Sequence, residues 1–471
     1  MNTRKIILLL AACASAVAAP ALAQQSAPAP LLPPAATVPA PATPAQDSGG
    51  LTGSVSDDNA WVDLGIDIPS FATPADVPTQ ASAGSTAQLG RAIAEVITAD
   101  LKNNGLFKPI GPARLPTITM GDVTQPDFPG WSARGAQMLV HGSVRANDDG
   151  SLMVTCYLYD VKLNQQLTKA AWTFTAADWR RAAHKCSDVI YSRLSGESPF
   201  FDSRIAYIAE TGPKNHRMKR LAIMDSDGAN HRFITTGQAM ALTPRFSPDY
   251  KKILYLSYLN GRPRLYIYDI ASATQRLVAA TGNPTFAPRW SPDGKWILYS
   301  MAIAGNTNIY RISAMGGTSQ QLTDTPGINI GGSYSPDGKR IAFESDRSGS
   351  QQIYVMNADG SGQHRISFFG GKAATPEWSP RGDQIAFTRI GGGEFSIAVT
   401  DPNGSGARTL THGWQDEAPT WAPNGRIIQF FRTEKGSGHS SLWQVDLTGR
   451  HERRLPTPVD GSDPSWGPIR Q

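Results

Sequence analysis

The side chains that could do chemistry in this 471-residue chain are present but not gathered. Eight histidines, at positions 141, 184, 216, 231, 364, 412, 439 and 451, show no metal-ligand spacing, and neither H-E-x-x-H nor C-x-x-C occurs. No G-x-S-x-G elbow presents a nucleophilic serine. His412, Trp414, Asp416 and Glu417 form the only small polar cluster with an aromatic. That composition suits a loop that contacts a partner better than an acid–base pair. Asp249, Asp293 and Asp337 recur in like surroundings and look like metal ligands until their place in a turn is noticed. The reading is that the chain has no catalytic, cofactor or metal site. Its formal charge of +5 comes from scattered Lys and Arg with no basic stripe, so nucleic acid is excluded as a partner.

The elements around these residues come from a repeat. Ala287-Pro288-Arg289-Trp290-Ser291-Pro292-Asp293-Gly294 has counterparts along the chain, and its aromatic recurs at 246, 290, 334, 378, 421 and 466. The intervals are 44, 44, 44, 43 and 45 residues, a period of repeat architectures. Ser-Pro-Asp-Gly is a turn: Pro presets φ, Asp bonds its own backbone and Gly supplies a positive φ. An apolar run follows each turn, such as Ile253-Leu254-Tyr255, Ile297-Leu298-Tyr299 and Ile427-Ile428-Gln429. A third run and a second turn come next. A fourth strand, marked by Ile234, Leu277, Leu322, Ile366, Leu410 and Leu455, closes the unit. Four short strands in each of six units predict a six-bladed β-propeller. The repeat enters at a second strand, Arg204-Ile205-Ala206-Tyr207-Ile208, and ends after a first strand around Trp466, so the last segment is expected to close the ring.

Ahead of the propeller lie three further segments. Residues 1–23 read as a secretory signal peptide: basic Arg4 and Lys5, an apolar stretch, and Ala21-Leu22-Ala23, with cleavage between Ala23 and Gln24. Cys13 also fits a lipoprotein box, which leaves lipidation as an alternative. Residues 24–59 are a disordered tether rich in Pro and Ala. Residues 60–198 read as a small α/β domain. Its parts are a helix over 85–104, a strand over 138–144, strands over 151–159 and 166–175, and a helix over 177–194. The propeller then spans 199–471. Cys156 and Cys186 either pair in an oxidising compartment or stay as buried apolar residues. The fold class is thus multidomain, α/β followed by all-β. The protein is expected to be a monomer with no membrane insertion.

Strand order divides the propeller into two faces. The uniform turns share one; the connections between blades and the second-to-third loops share the other. Variable loops on a rigid scaffold are the expected binding face. The candidate contacts there are Asn283, Thr285, Phe286, Asn329, Ile330, Lys372, His412, Trp414, Gln415 and Glu417. Phe368 and Phe369 either join this face or close the core between blades. An enzyme working in the propeller channel is the alternative. The innermost strands offer Arg245, Arg289 and Glu377, which form no evident acid–base pair.

This order of segments, together with Ala99-Asp100-Leu101-Lys102-Asn103-Asn104-Gly105-Leu106-Phe107 and Ala113-Arg114-Leu115-Pro116, resembles the TolB family of the Tol–Pal system over residues 60–468. The resemblance implies a non-enzymatic periplasmic scaffold. Such a scaffold binds the peptidoglycan-associated lipoprotein Pal on the propeller's loop face and contacts TolA through its N-terminal region. It supports outer-membrane integrity and constriction at division. The sequence departs from the family pattern in its long tether and in the polar segment Leu51–Asp58. It departs again at Gly331-Gly332, where a residue-plus-Pro is usual, and at Tyr250, where the turn has Gly.

Overall fold

The computed structural model describes residues 64–213, 216–278 and 282–470. The leader, its cleavage site, Cys13, the tether and segment 51–58 lie outside the described residues.

The first layer is a five-stranded sheet under two helices. β1 (Leu64–Asp67) leads to α1 (Thr86–Asn103), which starts where Ser85 and Gln88 cap each other and ends before Gly105. β2 (Phe107–Ile110) follows, then the short helices α2 (Met120–Thr124) and α3 (Phe128–Ala133). β3 (Met138–Ala146), β4 (Leu152–Asp160) and β5 (Gln165–Phe174) form a meander that runs into α4 (Trp179–Ser195). The sheet order is β2-β1-β3-β4-β5, with β1 parallel to both its neighbours. Both long helices and the three-strand meander fall where the apolar spacing puts them. The four-residue strands β1 and β2 are too short to show a period. Cys156 on β4 and Cys186 on α4 are joined by a disulfide, which decides between the two readings of that pair. It closes a 30-residue separation, worth about 3–4 kcal/mol on a chain-entropy account.

The rest of the chain is a β-propeller. Four of its sheets are four-stranded and antiparallel. A further sheet has eight strands, two antiparallel halves linked by a single parallel pair, Phe395 with Gln415. The inner strands are Ala241–Phe246, Thr285–Trp290, Asn329–Tyr334, Lys372–Trp378, Gln415–Trp421 and Asp460–Trp466. Asp460–Trp466 pairs antiparallel with Arg204–Thr211, matching Trp466 with Ile205. Each second strand contributes one fully buried aromatic: Tyr207, Tyr255, Tyr299, Phe343, Phe387 and Phe430.

Ile427–Thr433 and Thr274–Leu277 are strands, as the sequence reading has them, and register adds which residue is repeat-equivalent in each. Ile428, not Ile427, pairs with Trp421 as Ile253 pairs with Phe246, so buried Gln429 fills a place that Leu254 and Leu298 fill elsewhere. Val278, not Leu277, makes the closing bond of its unit, donating to Leu265 O at 2.9 Å as Leu322 donates to Ile309 O at 2.8 Å. Backbone pairing sets register, and an apolar neighbour one residue away misleads a reading by side-chain type.

Candidate partner-binding face and the domain junction

The turn face is built first by local chemistry. In the turn after Phe246, Ser247 Oγ donates to Asp249 Oδ1 at 2.6 Å, Lys251 N–H to the same oxygen at 3.1 Å, and Lys252 N–H to Ser247 Oγ at 2.8 Å. The same three bonds recur around Asp293 and Asp337. In Asp293 and Asp337 these bonds, led by the serine hydroxyl, hold the carboxyl below its ordinary range. The repeated aspartates are turn fasteners.

The α/β domain docks on this turn face. Two turns that depart from Ser-Pro-Asp lie beneath it: Ser379-Pro380-Arg381-Gly382 and Ala422-Pro423-Asn424-Gly425. Arg381 reaches Glu197 at 2.8 Å, Arg426 Nε reaches the same carboxylate at 2.8 Å, and Asn424 Nδ2 donates to Tyr191 Oη at 3.2 Å. Arg180 of α4 pairs with Asp227 in the turn Asp225–Gly228. The segment joining the domains is pinned at both ends. Asp188 of α4 accepts the backbone N–H groups of Phe200 at 2.8 Å, Phe201 at 2.7 Å and Asp202 at 3.0 Å. Trp466 Nε1 donates to Ser203 Oγ at 2.8 Å, and Arg470 pairs with Asp202 at 2.7 Å. Leu89, Ile93, Phe200, Phe201, Tyr207 and Trp466 belong to one continuous apolar core that runs through both domains.

At the heart of the junction His184 Nδ1 meets Asp100 Oδ2 at 2.8 Å, and its Nε2 lies 4.0 Å from Asp227. Burial opposes its charge, but Asp100, Asp227 and Asp225 outweigh it and lift the imidazole to about 9. None of these polar groups follows from apolar spacing, because α4 buries a polar side as well as an apolar one. The departures at Arg381 and Asn424 are the signal in the sequence that marks this surface.

The loop face is the opposite one, and the candidates divide there. Asn283 and His412 are exposed. Phe286, Ile330, Lys372, Trp414, Gln415 and Glu417 are half-buried. Lys435 Nζ stands 4.3 Å over the Trp414 ring. Burial, with Asp463 and Asp416 beside it, pushes the Glu417 carboxyl up to about 7. Two candidates do not reach the surface. Thr285 is buried, with its backbone N–H and its hydroxyl on Pro263 O. Asn329 is 0 % exposed and bonds Asn308 Oδ1 at 3.0 Å, Ser345 Oγ at 2.8 Å and Arg347 at 2.7 Å. Both brace the loops from beneath, because an amide or hydroxyl at the start of an inner strand meets unpaired backbone there. The two phenylalanines part company. Phe369 stacks on Phe387 at 4.9 Å inside the blade, whereas Phe368 is 73 % exposed with Arg365 against its ring.

In the channel, both Glu377 oxygens are taken, one by Arg289 at 3.3 Å and one by Thr420 Oγ1 at 2.9 Å. Asp416 of the polar cluster is likewise held by Arg432 at 2.6 Å. No helix among the described residues is long and apolar enough to cross a membrane.

Comparison with known proteins agrees with this architecture. The TolB amino-terminal domain matches residues 70–167 and the TolB beta propeller domain matches residues 191–470. The chain is 72 % identical over 461 residues to Tol-Pal system protein TolB 1 of Novosphingobium aromaticivorans, covering 98 % of this chain and 99 % of the relative. It is 67 % identical over 471 residues to Tol-Pal system protein TolB of Sphingopyxis alaskensis, covering 100 % of both. The crystal structure of TolB from Acinetobacter baumannii matches with a TM-score of 0.74 at 29 % identity, covering 86 % of this chain and 97 % of that one. These relatives are named for a system and for no reaction. The chain belongs to the TolB family of the Tol–Pal system, an amino-terminal domain followed by a β-propeller.

Proposed function

We propose that this protein is a non-enzymatic periplasmic scaffold that holds the lipoprotein Pal against the loop face of its propeller. In that role it supports outer-membrane integrity and envelope constriction during division, with TolA contacted through the N-terminal region. One observation carries the reading. The α/β domain covers turns on one face, and the opposite face presents Phe368, Trp414 and His412 on irregular loops. An exposed Phe368 and a half-buried Trp414 on a rigid rim suit a protein partner. Asn283, Phe286, Ile330, Lys372, Trp414, Gln415 and Glu417 are the proposed contacts around Phe368, with Thr285 and Asn329 as supports.

We infer further that the propeller has six blades. The eight-stranded sheet counts as two blades, divided at Phe395 and Gln415, which makes six. Pairing of Asp460–Trp466 with Arg204–Thr211 favours a ring closed by the C-terminal strand. Cleavage after Ala23 delivers a mature chain beginning at Gln24, with the tether to 59, the α/β domain to 198 and the propeller beyond. A photo-crosslinking amino acid at position 368 should capture Pal in cells, and one at position 337 on the turn face should not. Capture from 337 alone would put the partner on the wrong face.

A further inference from the structure

We propose that the propeller channel holds one small oxyanion between the guanidinium groups of Arg245 and Arg289. The six inner strands place one repeat-equivalent residue each, immediately before the aromatic: Arg245, Arg289, Ser333, Glu377, Thr420 and Ser465. Three of these are hydroxyls with a shared task. Ser333 Oγ accepts the Trp378 N–H at 3.0 Å, Thr420 Oγ1 the Trp466 N–H at 3.2 Å and Ser465 Oγ the Phe246 N–H at 3.3 Å. Each fastens its inner strand to a neighbouring one. Arg245 and Arg289, on successive inner strands, and Glu377 depart from that pattern, and two of the three are cations.

Their charges are unevenly met. Glu377 pairs with Arg289 at 3.3 Å. Arg245 is 8 % exposed and has no ion pair among the described residues. Its NH1 donates to Pro244 O at 2.6 Å and Pro464 O at 3.4 Å, and its Nε has no partner. Arg289 Nε is also without one. Asp463 is the other carboxylate whose field reaches both arginines, and it lies beyond ion-pair distance. A buried guanidinium with idle donors is costly unless an acceptor completes it. Guanidinium edges fit two oxygens of one acid group, so the chemistry that completes this pair is a sulfate, phosphate or carboxylate. Burial first, and Arg245 after it, lower Arg289 to about 9 against the pull of Glu377 and Asp463.

The test uses the full chain and sodium sulfate as the probe, titrated by calorimetry at fixed ionic strength. Wild type should bind one sulfate per chain. Arg245→Met should weaken binding at least about tenfold, the loss of a charge-assisted bond. Lys339→Gln, an exposed change on the turn face, should leave it unaltered. Absence of saturable binding by wild type, or equal affinity in Arg245→Met, overturns the proposal. If Arg245→Met does not fold, crystals of wild type soaked in selenate decide. An anomalous peak within hydrogen-bond distance of Arg245 Nε supports the site, and an empty channel overturns it.

Discussion

Asp188 holds the corner between the two domains from the side of α4. Three backbone N–H groups converge on its carboxylate, yet burial wins and raises the group to about 6. Replacing Asp188 by Ala strands three buried donors, each costing about 1–3 kcal/mol at most. Asp188→Ala should lower the unfolding free energy by about 3 kcal/mol or more in urea titration. A loss under about 1 kcal/mol would show that the corner is held elsewhere. Asp188, His184 and Asp202 were not legible from the sequence, because apolar spacing finds greasy faces and passes over buried polar ones. Trp414, Phe368 and His412 were legible as loop residues. What the sequence could not show was that Asn329 and Thr285 turn inward, since both are polar and sit in the same variable stretches as the exposed residues.

The inner strand is the element that the repeat builds. Each carries a bulge whose central residue adopts a positive φ: Thr243 at 45°, Ala287 at 46°, Gly331 at 72°, Thr375 at 50°, Ala418 at 52° and Asp463 at 48°. This explains why Gly331 departs from the residue-plus-Pro pattern without harm: the conformation is one that glycine takes freely. A left-handed residue with a Cβ costs about 1–2 kcal/mol, partly offset by its smaller unfolded-state entropy. Ala287→Gly should therefore be neutral to stabilising, by up to about 1 kcal/mol, whereas Ala287→Val should destabilise. Thermal melts of the pair check this, and a loss in the Gly variant would contradict the bulge assignment. Tyr250 is the reverse case. It holds φ 65° where Gly294 and Gly338 stand in other turns, and it stacks on Phe246 at 5.4 Å. The Ser-Pro-Asp turns were readable because their bonds are local. The registers at Ile428 and Val278 depend on partners one strand away and were not readable.

At the scale of the molecule, the junction should respond to pH. His184 has a folded value near 9, above its unfolded value near 6.5. Its contribution is complete below pH 6.5 and is lost as pH rises through 9, on the order of 3 kcal/mol in total. The gap in melting temperature between wild type and His184→Gln should shrink from pH 6.5 to 9.5; a constant gap would remove His184 from the linkage. Removing residues after Gly461 should destabilise the whole propeller, since Trp466 joins the last inner strand to Ile205, Ser203 and Phe200. Loss of a core Trp alone runs to about 3–5 kcal/mol, and an unchanged melting temperature in the truncated chain would contradict ring closure. Pal is proposed to sit on the loop face. Titration calorimetry of purified Pal into wild type, Trp414→Ala, Phe368→Ala and Asp337→Ala tests it most directly. Each aromatic variant should lose about 2 kcal/mol, roughly thirtyfold in affinity, with its melting temperature nearly unchanged, and Asp337→Ala should bind as wild type does. Wild-type affinity in both aromatic variants, with weakened binding in Asp337→Ala, would contradict it.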